Sequence, residues 1–353
     1  MNFRLNRGVV YSITLVLGLL ARSASADSPT LHEAGSTLLY PLFQLWAADY
    51  PSEHAGVTVI TKASGSGDGI SEAIGGSVQI GASDAYMSDE QAEQNHKIMN
   101  IPLAISAQTI NYNLPGLNST SLKLDGPTLA GIYAGTIMTW DAKPIAAMNP
   151  GVNLPHQRIV PLRRADPSGD TFVFTQFLDF STHTWEDQIG YGTSVEWPAV
   201  DGAKTATGND GMVQALATTP YSIGYVGISF HDAIAKAGLG TAMVKNQAGR
   251  FLLPTAETVS AAAAELDPRT PADERLSLAF APGAHSYPLI NYEYAVVSTD
   301  QPNPATADAV RQFLLWAVST EGGNAPKYLD AVQFIPLPDF IRALSENQIN
   351  RIH

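Results

Sequence analysis

"RIVPLRRADPSGDTFVFTQFLDF", residues 158–180, runs from a β-branched stretch through a polar turn into a helical pattern. Ile159, Val160 and Leu162 read as strand, and the segment from Asp170 to Phe180 reads as the helix that follows. The turn between them carries chemistry. Arg164 offers a planar fork of donors. Pro167 fits a first helical position, which would leave the N–H groups of Ser168, Gly169 and Asp170 without helical partners. The plainer alternative is an Arg164–Asp166 surface pair beside a capped helix. Either way, Asp166 and Asp170 put negative charge into what looks like a cradle for an anion, in a chain of formal net charge -13.

Strand-to-helix units recur on both sides. Upstream, "TLLYPLFQLWAADY" (37–50) spaces Leu38, Leu39, Leu42, Phe43 and Trp46 as a helix, with Ser36 or Thr37 as its cap and Pro41 in the first turn. "GVTVITKAS" (56–64) is a β-branched strand, "VQIGASDA" (78–85) a shorter one, and "TINYNLPG" (109–116) a third, closed by a turn. Downstream, "YPLINYEYAVV" (287–297) returns to strand before helices over 305–320 and 338–349. An alanine-rich surface helix is expected near 259–274. Strands alternating with helices give an α/β architecture.

The N-terminus stands apart. Arg4 and Arg7, an apolar run from Val9 to about Leu20 and Ala24-Ser25-Ala26 have the three-part layout of a secretory signal, cleaved after Ala26. The run is shorter than the roughly 20 residues that span a bilayer. No cysteine exists to carry a lipid anchor after the cleavage site, or to form disulfides. Loss of Arg4, Arg7 and Arg22 leaves the remainder more acidic still. That acidity argues against nucleic acid and anionic membrane surfaces as partners, and the 45% hydrophobic content suffices for a packed core. A soluble periplasmic protein is expected.

Two further glycine- or serine-rich turns resemble the first. In "AGSTLLYP" Gly35 precedes Ser36 and Thr37 at a helix start, where an anion is favoured; plain capping is the alternative. In "ASGSGDGI" (63–70) the glycines permit a nest of N–H groups with the Ser66 hydroxyl beside it, or simply a tight turn. This loop fits neither the dinucleotide pattern nor the P-loop. Asp84, in "GASDAYMSDE", either faces a cleft or caps the helix that begins near Ser88. The sequence contains no His-Glu-x-x-His, no Gly-x-Ser-x-Gly and no thiol, so neither a catalytic metal, a cofactor nor an enzymatic nucleophile is expected.

Taken in order, these four elements resemble the PstS family, the periplasmic phosphate-binding proteins of phosphate ABC transporters. The likeness extends through "TIMTWDAKPIAAMNPG", "GNDGMV", "IGYVGISF" and "YPLINYEYAVV", which are expected to be framework. The resemblance implies a two-lobed type II periplasmic binding protein, with mixed sheets flanked by helices and a strand-crossover hinge. Lobe I would take residues 27–109 and 288–353, lobe II residues 110–287. The lobes would close as a monomer over inorganic phosphate, for delivery to an inner-membrane permease. It also implies ligand contacts from Thr37, Leu38, Ser66, Asp84, Arg164, Ser168, Gly169 and Asp170, with Ser36 and Asp166 in support. Many relatives have an aromatic residue where Leu38 stands and threonine where Asp170 stands, so Asp170 would contact phosphate by its side chain or by its N–H alone. The competing readings are a secreted phosphatase or phosphotransferase, and a receptor for another oxyanion such as sulfate.

Overall fold

The computed structural model describes Met1 and residues 29–353, so the expected export signal falls outside the described chain from residue 29 onward. Among the described residues no helix is long and apolar enough to cross a membrane.

Twelve strands form the frame: β1 (Thr30–Gly35), β2 (Thr58–Ala63), β3 (Ile80–Ser83), β4 (Ile98–Asn113), β5 (Lys123–Leu124), β6 (Val160–Arg164), β7 (Lys204–Ala206), β8 (Ser222–Gly227), β9 (Gly240–Thr241), β10 (Met243–Lys245), β11 (Phe251–Leu252) and β12 (Ile290–Ser298). Nine lie in one mixed sheet ordered β2-β1-β3-β12-β4-β8-β6-β7, with β9 also on β4; β11-β10-β5 form a small second sheet. The parallel strands β1, β2 and β3 gather at one end, and β6, β7 and β8 at the other.

One strand joins the two halves. Residues 98–107 of β4 pair antiparallel with β12, and residues 108–113 pair with β8. Only the second of these stretches was legible as strand, yet β4 is buried on both faces between its terminal residues; its apolar run from Ile101 to Ile105 is flanked by the buried polar side chains of Asn100, Ser106, Gln108, Thr109 and Asn111. Pro102 interrupts that run without a ladder N–H. It is accommodated where the β4–β12 register slips between Glu293 and Tyr294, at a bulge.

Helices cover both faces. The first spans Tyr40–Glu53 and is capped at Leu39, not at Ser36 or Thr37; Pro41 does fall in its first turn. Its Phe43 and Tyr50 meet Phe313 of the helix Pro304–Val318 at 6.1 and 5.0 Å between ring centroids, and Trp46 lies 6.2 Å from the same ring. The helix Gly169–Ser181 follows the opening turn and buries its length from Gly169 to Leu178, so Phe174 stacks on Tyr225 at 4.5 Å. Such aromatic pairs add about 0.5–1.5 kcal/mol each beyond area burial. The alanine-rich helix, Ala256–Leu266, is less superficial than its composition implies, for Val259, Ala262, Ala263 and Leu266 are all buried.

Candidate functional site

Three helix starts converge where the two halves meet. At Gly169 the cap is Ser168, whose hydroxyl accepts the Thr171 N–H at 3.3 Å. Pro167 therefore precedes the cap and is not the first helical residue. Two consequences follow. The Ser168 N–H is spent on the Thr193 carbonyl at 2.8 Å, while the N–H groups of Gly169 and Asp170 find no acceptor in the described chain. Pro167 itself presents its carbonyl to the Gly67 N–H across the cleft, at 3.0 Å.

At the second start, the Ser36 hydroxyl accepts the N–H groups of both Leu38 and Leu39 at 3.0 Å. The Leu38 N–H, expected as a ligand donor, is thus occupied, whereas that of Thr37 takes no acceptor among the described residues. At the third, Gly65 holds φ 105°, a conformation open to glycine, and a Cβ there would stand 2.7 Å from the Pro167 carbonyl oxygen. The helix Ser66–Ile74 starts beside it, with the Ser66 hydroxyl accepting the Asp84 N–H at 3.1 Å. Gly169 packs against this corner so closely that a Cβ would lie 2.3 Å from Asp84 Oδ2 and 2.4 Å from Ser66 Oγ.

The structure therefore brings Ser36, Thr37, Ser66, Asp84, Arg164, Asp166, Ser168, Gly169 and Asp170 into one cluster. Leu38 adjoins it with its N–H turned inward. Asp84 caps nothing: Ser88 caps its own helix through a reciprocal box with Gln91, and Asp84 is 2% exposed, accepting from Ser36 Oγ. Burial and the charge of Asp170 push its pKa up to about 7, against the hydrogen bonds from Glu293 and Ser36 and the charge of Arg164.

Arg164 is held differently. Its Nε donates to Asp166 Oδ1 at 2.8 Å, its Nη1 to Asp170 Oδ2 at 2.5 Å, and its Nη2 both to Asp166 Oδ2 and to Thr37 Oγ1 at 3.2 Å. Burial opposes the guanidinium charge, but the hydrogen bond to Asp166 and the charges of Asp170 and Asp166 outweigh it and hold the pKa up. Asp170 turns its carboxylate wholly into the protein, accepting also from Asn209 Nδ2 at 2.7 Å and Gln108 Nε2 at 3.1 Å. What it presents to the cleft is its N–H. A groove of about 940 Å³, lined by Gly67, Tyr86, Pro167, Phe172, Tyr191 and Arg275 among others, lies beside the cluster.

A PBP superfamily domain model matches residues 21–321. The chain is 34% identical over 324 residues to the phosphate-binding protein PstS of Haemophilus influenzae, covering 92% of each. To that of Pasteurella multocida it is 33% identical, over 89% of this chain and 88% of the relative. The chain belongs to the PstS family. Among solved structures, the periplasmic phosphate-binding protein PfluDING, crystallised with phosphate, superposes with a TM-score of 0.70 at 23% identity, over 89% of this chain and 92% of that one. The fold is accordingly the two-lobed type II periplasmic binding fold, with β4 joining the two halves of the sheet.

Within this PstS chain, three segments expected to be framework reach the site. Asn209, in "GNDGMV", is fully buried; its Nδ2 bridges Thr37 Oγ1 (2.9 Å) and Asp170 Oδ2 (2.7 Å), and its Oδ1 accepts the Gly227 N–H (2.8 Å). Tyr225, in "IGYVGISF", accepts the Arg164 N–H at 3.1 Å and shares a hydrogen bond with Thr171. Glu293, in "YPLINYEYAVV", lies behind Asp84. Asn209 had a readable signal, since it opens a fourth strand-to-helix turn after a glycine, Gly208, of positive φ. Tyr225 and Glu293 had none beyond being polar in buried strands.

Proposed function

We propose that this chain is an extracytoplasmic receptor that binds inorganic phosphate between its lobes and delivers it to an ABC permease. It is a binding protein and not an enzyme. The observation that carries the reading is a ring of unspent donors around one buried carboxylate: the N–H groups of Thr37, Ser66, Gly169 and Asp170 take no acceptor among the described residues. The hydroxyls of Ser66 and Ser168 already accept, which leaves their protons to donate. The Thr37 hydroxyl accepts from Arg164 and Asn209, so its proton too is free for a ligand. Helix starts favour an anion through their unpaired N–H groups and dipoles. Asp84 adds an acceptor that only a protonated oxyanion can use.

The lobes, taken as residues 27–109 with 288–353 and residues 110–287, close through Gly67 to Pro167, through Thr37 to Arg164 and Asn209, and through the Ser229 hydroxyl to the Leu38 carbonyl at 2.7 Å. Gln176 to Tyr86 at 3.1 Å and Gln108 to Asp170 at 3.1 Å add further links, and β4 is the strand crossover between the lobes. Export through the signal at residues 1–26 with cleavage after Ala26, a mature protein without a lipid anchor, a monomeric state and docking onto an inner-membrane permease complete the proposal. Calorimetric titration of the mature protein with phosphate, run beside a phosphomonoester hydrolysis assay, tests it. Stoichiometric phosphate binding without turnover is expected. Steady turnover abolished by Arg164→Ala would overturn the receptor reading.

A further inference from the structure

Behind Asp84 stands a second buried acid. The antiparallel register pairs Tyr294 with Ser83, which puts Glu293 opposite Asp84. The β4–β12 bulge falls at this same point, between Glu293 and Tyr294, and bulges re-aim side chains. Glu293 is fully buried. Its Oε1 accepts from Ser106 Oγ at 2.5 Å and Asn291 Nδ2 at 2.9 Å, and the same Asn291 amide reaches the Asp84 carbonyl at 3.3 Å. Its Oε2 is buried with no donor from the described chain. The two carboxyl groups face each other across this register, close enough that each acts on the ionisation of the other.

An ionised Glu293 would leave Oε2 a buried acceptor with nothing to accept, beside a second carboxylate; both terms are costly. A neutral Glu293 removes both, because its O–H then has Asp84 as acceptor. We propose that Glu293 is the positioning acid of the site: it holds a proton and donates it to Asp84, so that Asp84 stays an acceptor towards the ligand and the pair together sets anion selectivity. Burial, together with the charge of Asp84, pushes the Glu293 carboxyl well above the usual range, in keeping with this placement of the proton. Among the described residues Asp84 is the ionisable group that faces Glu293, while Asp170 and Arg164 face Asp84 from the other lobe. The inference rests on the phosphate reading of the cleft.

The test compares wild type, Glu293→Gln and Glu293→Met by calorimetric titration with phosphate and with sulfate between mildly acid and mildly alkaline pH, and by infrared spectroscopy without ligand. Glutamine keeps a neutral donor towards Asp84, so phosphate affinity is expected to hold within roughly threefold, with sulfate still rejected. Methionine offers none. Asp84 should then take up its own proton more readily, and the phosphate-to-sulfate ratio at neutral pH should fall by roughly ten- to a hundredfold, recovering as pH rises. A structural role alone would weaken both anions alike and leave the ratio and its pH profile unmoved, which would overturn the proposal. The infrared arm is independent of any ligand: the protonated-carboxyl absorption at neutral pH, to which Glu33 and Glu274 also contribute, should be smaller in Glu293→Gln than in wild type by the contribution of one carboxyl. An unchanged band would refute the proposal even if the wild type bound no phosphate, an outcome that by itself refutes only the receptor reading.

Discussion

The two walls of the cleft hold buried acids in opposite ways. On the Arg164 wall, Asp166 and Asp170 are matched by a cation, with hydrogen bonds from Gly208, Asn209 and Gln108 filling the remaining lone pairs. On the Asp84 wall no cation among the described residues touches the acids; Asp84 meets Ser36 and faces Glu293, and Glu293 meets Ser106 and Asn291. Negative charge on the first wall fixes the arginine. On the second it waits for a proton. On the proposed reading of the cleft as a phosphate site, the apparent contradiction of an anion site with its own carboxylates dissolves: Asp84 is the carboxylate proposed to read the ligand, while Asp166 and Asp170 hold Arg164. Long-range charge matters little by comparison, being screened beyond about 8 Å at physiological salt.

Removing the cation should break the contrast most severely. Arg164→Ala strands two buried carboxylates, an event that costs about 3–5 kcal/mol; a large fall in melting temperature is expected by calorimetry, together with loss of measurable phosphate binding. A normal melting temperature would mean that Asp166 and Asp170 accommodate elsewhere.

Next comes the pH dependence of stability. Glu33 and Glu274 are buried without a cation, like Glu293, and burial raises each from 4.5 to about 8, against hydrogen bonds from Thr61 and Lys62 for Glu33, and from Gln348 and Ser345 for Glu274. Their folded forms hold protons that the unfolded chain has released, so stability is greatest below about 4.5 for these groups and declines as pH rises from there towards 8. Each contributes a slope of up to about 1.4 kcal/mol per pH unit. Denaturant titrations at pH 6 and pH 8 should show the decline, and Glu274→Gln should flatten it. A flat wild-type profile would show that these acids ionise freely.

Asn209 ties the walls together through Thr37 and Asp170. Asn209→Ala should weaken phosphate by roughly tenfold, at the scale of a lost hydrogen bond to a charged group, and calorimetric titration checks it. The smallest expected effect belongs to Asp170→Thr. Removing that charge lowers the Asp84 pKa, so the pH at which sulfate begins to bind should move down, by about one unit or less; movement upward would put Asp170 in direct contact with the ligand.

Most of the frame was legible because alternating strands and helices leave strong periodic signals. The three helix-start turns were legible because serine, threonine and glycine at such turns have few structural substitutes. The length of β4 was hidden by Pro102, which reads as a breaker until the bulge opposite it is known. The cap positions at Leu39 and Ser168 shifted by two or three residues, which decided that the N–H groups of Leu38 and Ser168 are spent and that of Thr37 takes no acceptor among the described residues. The side-chain state of Asp170 depended on Gln108 and Asn209, some 62 and 39 residues away in sequence. Glu293 acquires meaning only through the register that sets it behind Asp84.

Selectivity by proton is tested most directly by titrating phosphate and sulfate into wild type and Asp84→Asn at pH 8 and pH 6. Phosphate keeps at least one proton under these conditions and sulfate keeps none. Sites built on such a hydrogen bond reject analogues lacking it by roughly 10⁴–10⁵. In wild type, sulfate should fail to compete at pH 8 and gain affinity as pH falls through about 7, where Asp84 takes its own proton. In Asp84→Asn, whose amide can donate as well as accept, sulfate should bind at both pH values while phosphate loses much less. Sulfate binding comparable to phosphate in wild type at pH 8 would contradict the role given to Asp84, and the phosphate reading of the cleft with it.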